Sequence, residues 1–172
     1  MAMRSFFQLA ALLIAVLMLS SCAFHLRERA DMPFKTLYLD AENPKTLFIA
    51  DLRRSIEANH VQLVNTSAQA DVVLKIVFEI ADKQILTLGS NGRVNEFRLN
   101  YRISVRAYDL MQQDWIPAEE MSLHRDLSYD DTIVLAKEAE EALLYQNMRS
   151  DMVQQIVRRL SRAKPQKQSQ LQ

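Results

Sequence analysis

The chain has 172 residues, of which 49% are hydrophobic and 24% are charged. This composition predicts a globular protein, and the length suits a single domain with one core. The 21 basic and 21 acidic residues balance each other. The net charge therefore gives no reason to expect binding to nucleic acid.

The amino-terminal segment has the order of a secretory signal. Arg4 precedes an uncharged apolar run over residues 6–19, and the small residues Ser20 and Ser21 precede Cys22. The run is shorter than the about 20 apolar residues that a membrane-spanning helix needs. A cleaved signal is therefore favoured over the alternative, an uncleaved helical anchor.

Leu19-Ser20-Ser21-Cys22 resembles a bacterial lipobox, in which the cysteine is acylated and the signal is cut before it. Cys22 is the only cysteine, so no intramolecular disulfide can form despite export to an oxidising compartment. We expect residues 1–21 to be a cleaved signal peptide and the acyl chains on Cys22 to hold the protein at a membrane. By resemblance to lipoprotein sorting rules, Ala23 after the cysteine favours the outer membrane.

A short strand and a helix are predicted next. Residues 36–40 form an apolar strand, and Asn43 is placed to cap a helix that begins at Pro44 and runs to about Asn59. A short apolar segment, residues 61–64, and a polar turn follow. The apolar stripe of the helix consists of Phe48, Ile49, Leu52 and Ile56.

Two long strands flank the turn Gly89-Ser90-Asn91-Gly92, which contains the only two glycines of the chain. Asn-Gly between two alternating runs is a strong hairpin signal. Residues 94–108 put apolar side chains on one face and polar ones on the other. In the strand over residues 71–88, one parity carries Leu74, Ile76, Phe78 and Ile80.

An irregular strand over residues 116–127 contains Pro117, which suits an edge position. Asp130 and Asp131 are placed to cap a final helix over residues 132–162. The helix prediction is weakest in the middle of this segment, because Gln146 and Arg149 interrupt the apolar face. The apolar face predicted for this helix comprises Leu135, Ala139, Ala142, Val153, Ile156 and Leu160.

The order β-α-β-β-β-α predicts an α+β fold, a single two-layer sandwich. We expect a four-stranded mixed sheet, mostly antiparallel, with two helices on one face. The domain should cover residues 22–162, and residues 163–172 should form a flexible carboxyl-terminal tail.

At about 3.3 Å per residue, the two hairpin strands would reach roughly 50 Å, which is longer than the first helix can cover. The hairpin tip should therefore project from the body and be received by a partner protein. The candidate partner contacts are Gly89, Ser90, Asn91 and Gly92.

The sequence contains no pattern of catalytic or metal-binding residues. His25, His60 and His124 are scattered, and neither an H-E-x-x-H nor a G-x-S-x-G motif is present. We therefore predict no enzyme activity, no metal site and no cofactor.

Basic side chains offer the remaining chemistry. Arg98, Arg102 and Arg106 lie along one strand face, while Arg93 is at the hairpin tip and Lys137 in the final helix. Such groups pair well with phosphates, so an anionic lipid headgroup is a candidate ligand. The alternative is an ordinary solvated sheet face.

Three stretches resemble the LptE family of lipopolysaccharide-assembly lipoproteins. They are Cys22-Ala23-Phe24-His25-Leu26-Arg27, then Asn91-Gly92 followed by Glu96-Phe97, and Leu135-Ala136-Lys137-Glu138. The order of strands and helices agrees as well, so the resemblance covers nearly all of the mature chain. Ala23 and Glu28 stand where many relatives have glycine.

The resemblance implies a non-enzymatic outer-membrane lipoprotein that plugs and helps assemble the LptD β-barrel and assists lipopolysaccharide delivery to the outer leaflet. It also implies lipopolysaccharide contact through Lys137, with Arg93 near Ser90, where relatives can carry arginine. Arg98 and Arg102 are further candidates. The alternatives are a periplasmic lipoprotein that binds a hydrophobic or anionic lipid, and a pilot lipoprotein for another outer-membrane pore.

Overall fold

The structure, a computed structural model, describes residues 31–166. The expected signal peptide, Cys22 and residues 167–172 lie outside the described residues. The elements in chain order are β1 (Thr36–Ala41), α1 (Leu47–Glu57), β2 (Gln62–Leu63), a 3-10 turn (Ser67–Gln69), β3 (Val72–Leu88), β4 (Val94–Tyr108), β5 (Asp114–Ser128) and α2 (Val134–Arg162). Between residues 31 and 166, no helix is both long and apolar enough to cross a membrane.

The strands form one mixed sheet in the order β2-β1-β3-β4-β5. β1 is parallel to β2 and β3, while β3, β4 and β5 are antiparallel neighbours. The α+β class and the mixed sheet are confirmed. The predicted number of four strands is wrong, because residues 62–63 pair with residues 36–37 as a fifth strand. Two residues are too few to show alternation, so only the pairing with β1 reveals this strand.

α1 buries the stripe that the sequence predicts but begins later than expected. Thr46, not Asn43, is the N-cap, and its hydroxyl accepts the Ile49 N–H at 3.2 Å. Asn43 closes a local turn instead, since its side-chain oxygen accepts the Lys45 N–H at 3.3 Å. The buried residues of α1 are Phe48, Ile49, Leu52 and Ile56.

A bulge at Val77 reverses the faces of β3. Ile76 pairs with Val105 but Phe78 pairs with Ser104, so β3 carries one extra residue at this point. Beyond the bulge, Ile80 lies opposite Arg102, on the face of the sheet away from the helices. The single parity expected for Leu74, Ile76, Phe78 and Ile80 is therefore broken halfway.

The two halves of α2 differ in burial. Every fully buried residue of this helix lies between Met148 and Leu160. The core face expected for Leu135, Ala139 and Ala142 is wrong, because all three side chains are exposed, Leu135 to 82%. These three side chains do share one face of the helix, but in this half of α2 that face points away from the sheet.

Polar contacts fix the first half of α2 to the sheet. Lys83 Nζ lies 2.7 Å from Glu141 Oε2, and the Tyr145 hydroxyl donates to the Asp82 carbonyl oxygen at 2.8 Å. Lys83 also lies 4.8 Å from the centre of the Phe97 ring. These contacts hold the helix against the hairpin where little apolar surface is buried between them.

Arg149, which was expected to weaken the helix, joins α2 to α1. Its Nε donates to Asp51 Oδ2 at 2.8 Å, and the Arg149 side chain is only 20% exposed. Burial would raise the pKa of Asp51, but hydrogen bonds from Arg149 and Arg54 outweigh it and lower that pKa. The helix is continuous through this position.

β5 occupies the sheet edge that Pro117 predicted. The chain returns to this strand after α2, because the Gln166 N–H donates to the Asp114 carbonyl oxygen at 2.8 Å. Ala163 is buried in the core. Part of the segment expected to be a tail is therefore attached to the domain as far as Gln166.

The unequal halves of α2 lead to a stability prediction. Met148→Ala should lower the free energy of unfolding by about 3 kcal/mol, because Met148 is fully buried in the core. Leu135→Ala should change it by less than about 0.5 kcal/mol. Urea titrations followed by circular dichroism would measure both, and equal losses would show that the first half of α2 is packed in the core.

Candidate functional site

The turn between β3 and β4 forms one end of the sheet, which we call the distal end. The Gly92 N–H donates to the Gly89 carbonyl at 3.0 Å, and the Gly89 N–H donates to the Arg93 carbonyl at 2.7 Å. Gly92 has a φ of 75°, a left-handed conformation that glycine adopts at little cost. The hairpin is confirmed, but its turn is built over residues 89–92 and not on a two-residue Asn-Gly loop.

Gly89 leaves room for two asparagine side chains of the turn. A Cβ at this position would lie 2.9 Å from Asn91 Oδ1 and 3.0 Å from Asn95 Oδ1. Asn91 Oδ1 also accepts the Arg93 N–H at 3.1 Å. The candidate partner contacts Gly89, Ser90, Asn91 and Gly92 thus form a tightly folded turn.

β5 ends and α2 begins at the same distal end. Asp130 Oδ1 accepts the backbone N–H of Thr132 at 2.9 Å and its hydroxyl at 2.7 Å, and these hydrogen bonds lower the pKa of Asp130. The predicted cap by Asp130 and Asp131 is wrong. The helix begins at Val134, and Ile133 occupies the N-cap position without a side-chain hydrogen bond.

The structure places Arg93 and Lys137 at the distal end, each with an acidic partner. Arg93 pairs with Asp131, and the Arg93 side chain is 66% exposed. Lys137 Nζ donates to Ser128 Oγ at 3.1 Å and to Glu140 Oε2 at 2.9 Å, and its side chain is 13% exposed. Arg93 therefore presents its charge to solvent, whereas Lys137 is held between α2 and the end of β5.

Arg98 and Arg102 lie on the sheet face away from the helices and are engaged with carboxylates. Arg98 donates twice to Asp126, at 2.8 and 3.1 Å, which raises the pKa of Arg98 and lowers that of Asp126. Arg102 lies 3.6 Å from both Asp82 and Glu120. This face is charge-balanced, which favours a solvated sheet face over a phosphate site at these two arginines.

Arg106, like Arg98 and Arg102, is paired with a carboxylate. Its Nε donates to Asp114 Oδ1 at 2.6 Å, and its guanidinium lies 4.8 Å from the centre of the Tyr108 ring. The sequence showed the arginine stripe but not its partners, because the carboxylates come from neighbouring strands whose register only the fold fixes.

The distal part of the molecule exposes large apolar side chains. We call this part the distal arm; it consists of residues 80–100, 123–128 and 134–145. Exposed apolar surface of this kind marks an interaction site when it is contiguous. The exposed residues are Ile80, Ile85, Leu86 and Leu88 of β3 and Val134, Leu135 and Leu143 of α2, with Ile133 just before the helix.

The described residues contain clefts but no metal-binding cluster. Within residues 31–166, no group of three or more His, Cys, Asp or Glu side chains is arranged to hold a metal. A cleft of about 500 Å³ beside Trp115 is also lined by Glu119, Arg158, Arg159 and Arg162. Such a charged lining differs from the mostly apolar pockets that bind hydrophobic ligands.

A helix-backed mixed sheet with a lengthened central hairpin is the fold of a group of bacterial lipoproteins. The chain resembles an uncharacterized lipoprotein B from Nitrosomonas europaea, with a TM-score of 0.70 and 36% identity over 81% of this chain and 90% of that one. The rare lipoprotein B from Shewanella oneidensis shares the fold, with a TM-score of 0.64 and 22% identity over 72% of this chain and 92% of that one.

The chain belongs to the LptE family. The LptE family model, described as lipopolysaccharide-assembly, matches residues 34–160. The LPS-assembly lipoprotein LptE of Pectobacterium atrosepticum is 26% identical over 150 residues, which are 86% of this chain and 80% of that protein. The family predicted from sequence motifs is therefore confirmed. Its members are non-enzymatic lipoproteins, so the prediction that the chain is not an enzyme is confirmed as well.

Proposed function

We propose that this protein is an outer-membrane lipoprotein whose distal arm is enclosed by the β-barrel protein LptD, which it helps to assemble. In that position it assists delivery of lipopolysaccharide to the outer leaflet. Family membership supports a part in lipopolysaccharide assembly. The observation that carries the enclosure is the exposed apolar surface on β3 and α2 of the distal arm.

The lumen of a β-barrel can accommodate both the charged surface and the apolar surface of the distal arm. Residues that line the inside of an outer-membrane barrel are polar, so they can face the balanced charges of Arg98 and Arg102 with their carboxylates. The apolar side chains, such as Leu135 and Leu143, would be removed from water. The acyl chains on Cys22 would hold the protein at the periplasmic face of the membrane.

Purification from detergent tests the enclosure. The wild-type protein should be recovered as a stable one-to-one complex with a large β-barrel protein. Leu143→Glu should lower that recovery at least tenfold, because Leu143 is 55% exposed on the distal arm. Gln154→Glu places the same charge on the second half of α2 and should leave recovery unchanged.

The other outcomes identify the alternatives. Recovery of the protein alone would contradict enclosure and favour a periplasmic lipid-binding lipoprotein. A complex with a different outer-membrane pore would favour a pilot lipoprotein.

Lipopolysaccharide contact is proposed at Lys137, with Arg93 beside it at the distal end. Both cations have carboxylate partners, so a phosphate group has to compete with Glu140 and Asp131. A phosphate accepts several charge-assisted hydrogen bonds, which makes it a strong competitor for a single carboxylate. Arg98 and Arg102 are the weaker candidates, since their ion pairs form part of the sheet face.

Binding of purified lipopolysaccharide by the isolated protein tests this contact. Lys137→Asp should weaken binding at least tenfold and leave the circular dichroism spectrum unchanged, whereas Lys137→Arg should retain binding. Arg158→Asp makes the same change of charge at the far end of α2 and serves as the control. Equal binding by Lys137→Asp and wild type would remove Lys137 from the site.

A further inference from the structure

The outer edge of β3 is paired along only part of its length. β1 pairs with residues 72–76 of β3 and ends at Ala41. Residues 78–88 pair with β4 on one side, and no strand within residues 31–166 pairs with their other side. In an antiparallel ladder, every second residue directs its N–H and C=O away from the paired strand. β3 therefore presents unpaired backbone groups along about 35 Å.

Between Phe78 and Ile85, this edge has little of the protection that natural sheet edges usually have, since the irregularities of β3 lie at Val77 and after Ile85. Charged side chains, proline and bulges commonly block edge pairing. Asp82 and Lys83 are the only charged residues between Ile80 and Leu88, and both are already engaged. Asp82 accepts from Asn100 at 2.8 Å, and Lys83 pairs with Glu141 at 2.7 Å.

The opposite edge of the sheet shows the contrast. β5 contains Pro117 and carries charged side chains along its length, namely Glu119, Glu120, Arg125 and Asp126. On β3, residues 83–88 are all exposed, and Ile85 and Leu88 are exposed to 57% and 59%. The open part of β3 and the outer edge of β5 are thus built differently, and of these two the β3 edge is better suited to accept another strand.

A cleft lies where β1 leaves this edge. Its volume is about 490 Å³, and its lining combines apolar residues with the polar residues Glu42, Asn43, Thr46 and Glu79. A strand added along β3 would run in line with β1 and place its first side chains in this cleft.

The expected mature amino-terminal segment is too short to occupy the whole edge. Pro33 and Phe34 lie beside Trp115, at the end of the sheet opposite the turn. Once residues 1–21 are removed, residues 22–32 span at most about 36 Å, while Ile85 lies about 43 Å along β3 from Val72.

We propose that the outer edge of β3, residues 78–88, binds an extended segment of the β-barrel partner, which adds to the sheet as a further strand. The identity of the partner rests on the proposed function. Backbone hydrogen bonds would supply affinity, and alternate side chains would select the sequence. The segment needs apolar side chains to cover Ile85 and Leu88. Asp82 and Lys83 already have ionic partners in Arg102 and Glu141, so they require no opposite charge on the segment.

Amide hydrogen exchange at single-residue resolution tests this proposal on the purified complex and on the isolated protein. Strand addition should slow exchange at least tenfold at every second amide between Phe78 and Ile85, where the β3 register is regular, in the complex. The outer edge of β5 is the internal control, and exchange there should not show this alternation. A complex with unchanged exchange along β3 would overturn the strand proposal and leave the proposed function standing.

Two other outcomes would also contradict the proposal that the partner adds a strand to β3. Alternating protection of β3 in the isolated protein that grows with its concentration would identify a second copy as the occupant. Failure to recover any barrel complex would contradict the proposed function, and the strand proposal would fall with it.

A pair of variants gives an independent measure. Ile85→Lys adds a charge to the exposed edge and should lower recovery of the complex about tenfold, with an unchanged circular dichroism spectrum. Ser122→Lys adds the same charge to exposed β5 and should have little effect. Equal recovery of the two variants would contradict the β3 edge as the binding site.

Discussion

β3 and β4 pair along their full length, from Val73 opposite Tyr108 to Leu88 opposite Val94, and this ladder extends beyond the part of the sheet on which helix residues are fully buried. α1 reaches along the ladder as far as Tyr101, whose ring centre lies 6.4 Å from that of Phe48. The buried residues of α2 begin at Met148, so the first half of this helix covers the distal hairpin mainly through polar contacts. The chain thereby gains a distal arm on which several apolar side chains, such as Ile85, Leu88 and Leu135, are exposed.

Ion pairs connect the strands and the helix of the distal arm. Arg98 and Arg102 link neighbouring strands to each other, and Lys83 links the hairpin to α2. Exposed ion pairs of this kind contribute little stability one by one. Their effect on specificity is larger, because a neutral polar face can lie against a polar lumen without leaving a charge unpaired. Among the basic side chains of the arm, Arg93 is the one that is mostly exposed to solvent, beside its partner Asp131.

Much of the fold could be predicted from sequence where the signal is local. The hairpin strands and α1 stripe were found because alternation and helical periodicity lie within single elements. The bulge at Val77 and the short strand β2 were missed, because both are decided by pairing with distant residues. Periodicity also showed that Leu135, Ala139 and Ala142 share a face, but it could not show whether this protein or another one covers that face.

The candidate site was predictable to a similar degree. Sequence resemblance singled out Lys137, and its Glu140 partner follows from helical spacing. The Arg93 to Asp131 ion pair depends on β5 and α2 meeting at the hairpin turn, which no local pattern encodes. The open edge of β3 is also invisible in sequence, since it exists only because β1 ends at Ala41 while β3 continues.

The central claim is that the distal arm is enclosed by a partner. Single cysteines introduced at Ser90, Leu135 and Met111, with Cys22 acylated, allow it to be tested by labelling with a polar maleimide. In the isolated protein all three positions should react at similar rates. In the purified barrel complex, the account predicts at least tenfold slower labelling at positions 90 and 135 but not at position 111, on the opposite end of the sheet. Equal labelling of all three positions in the complex would contradict enclosure of the arm.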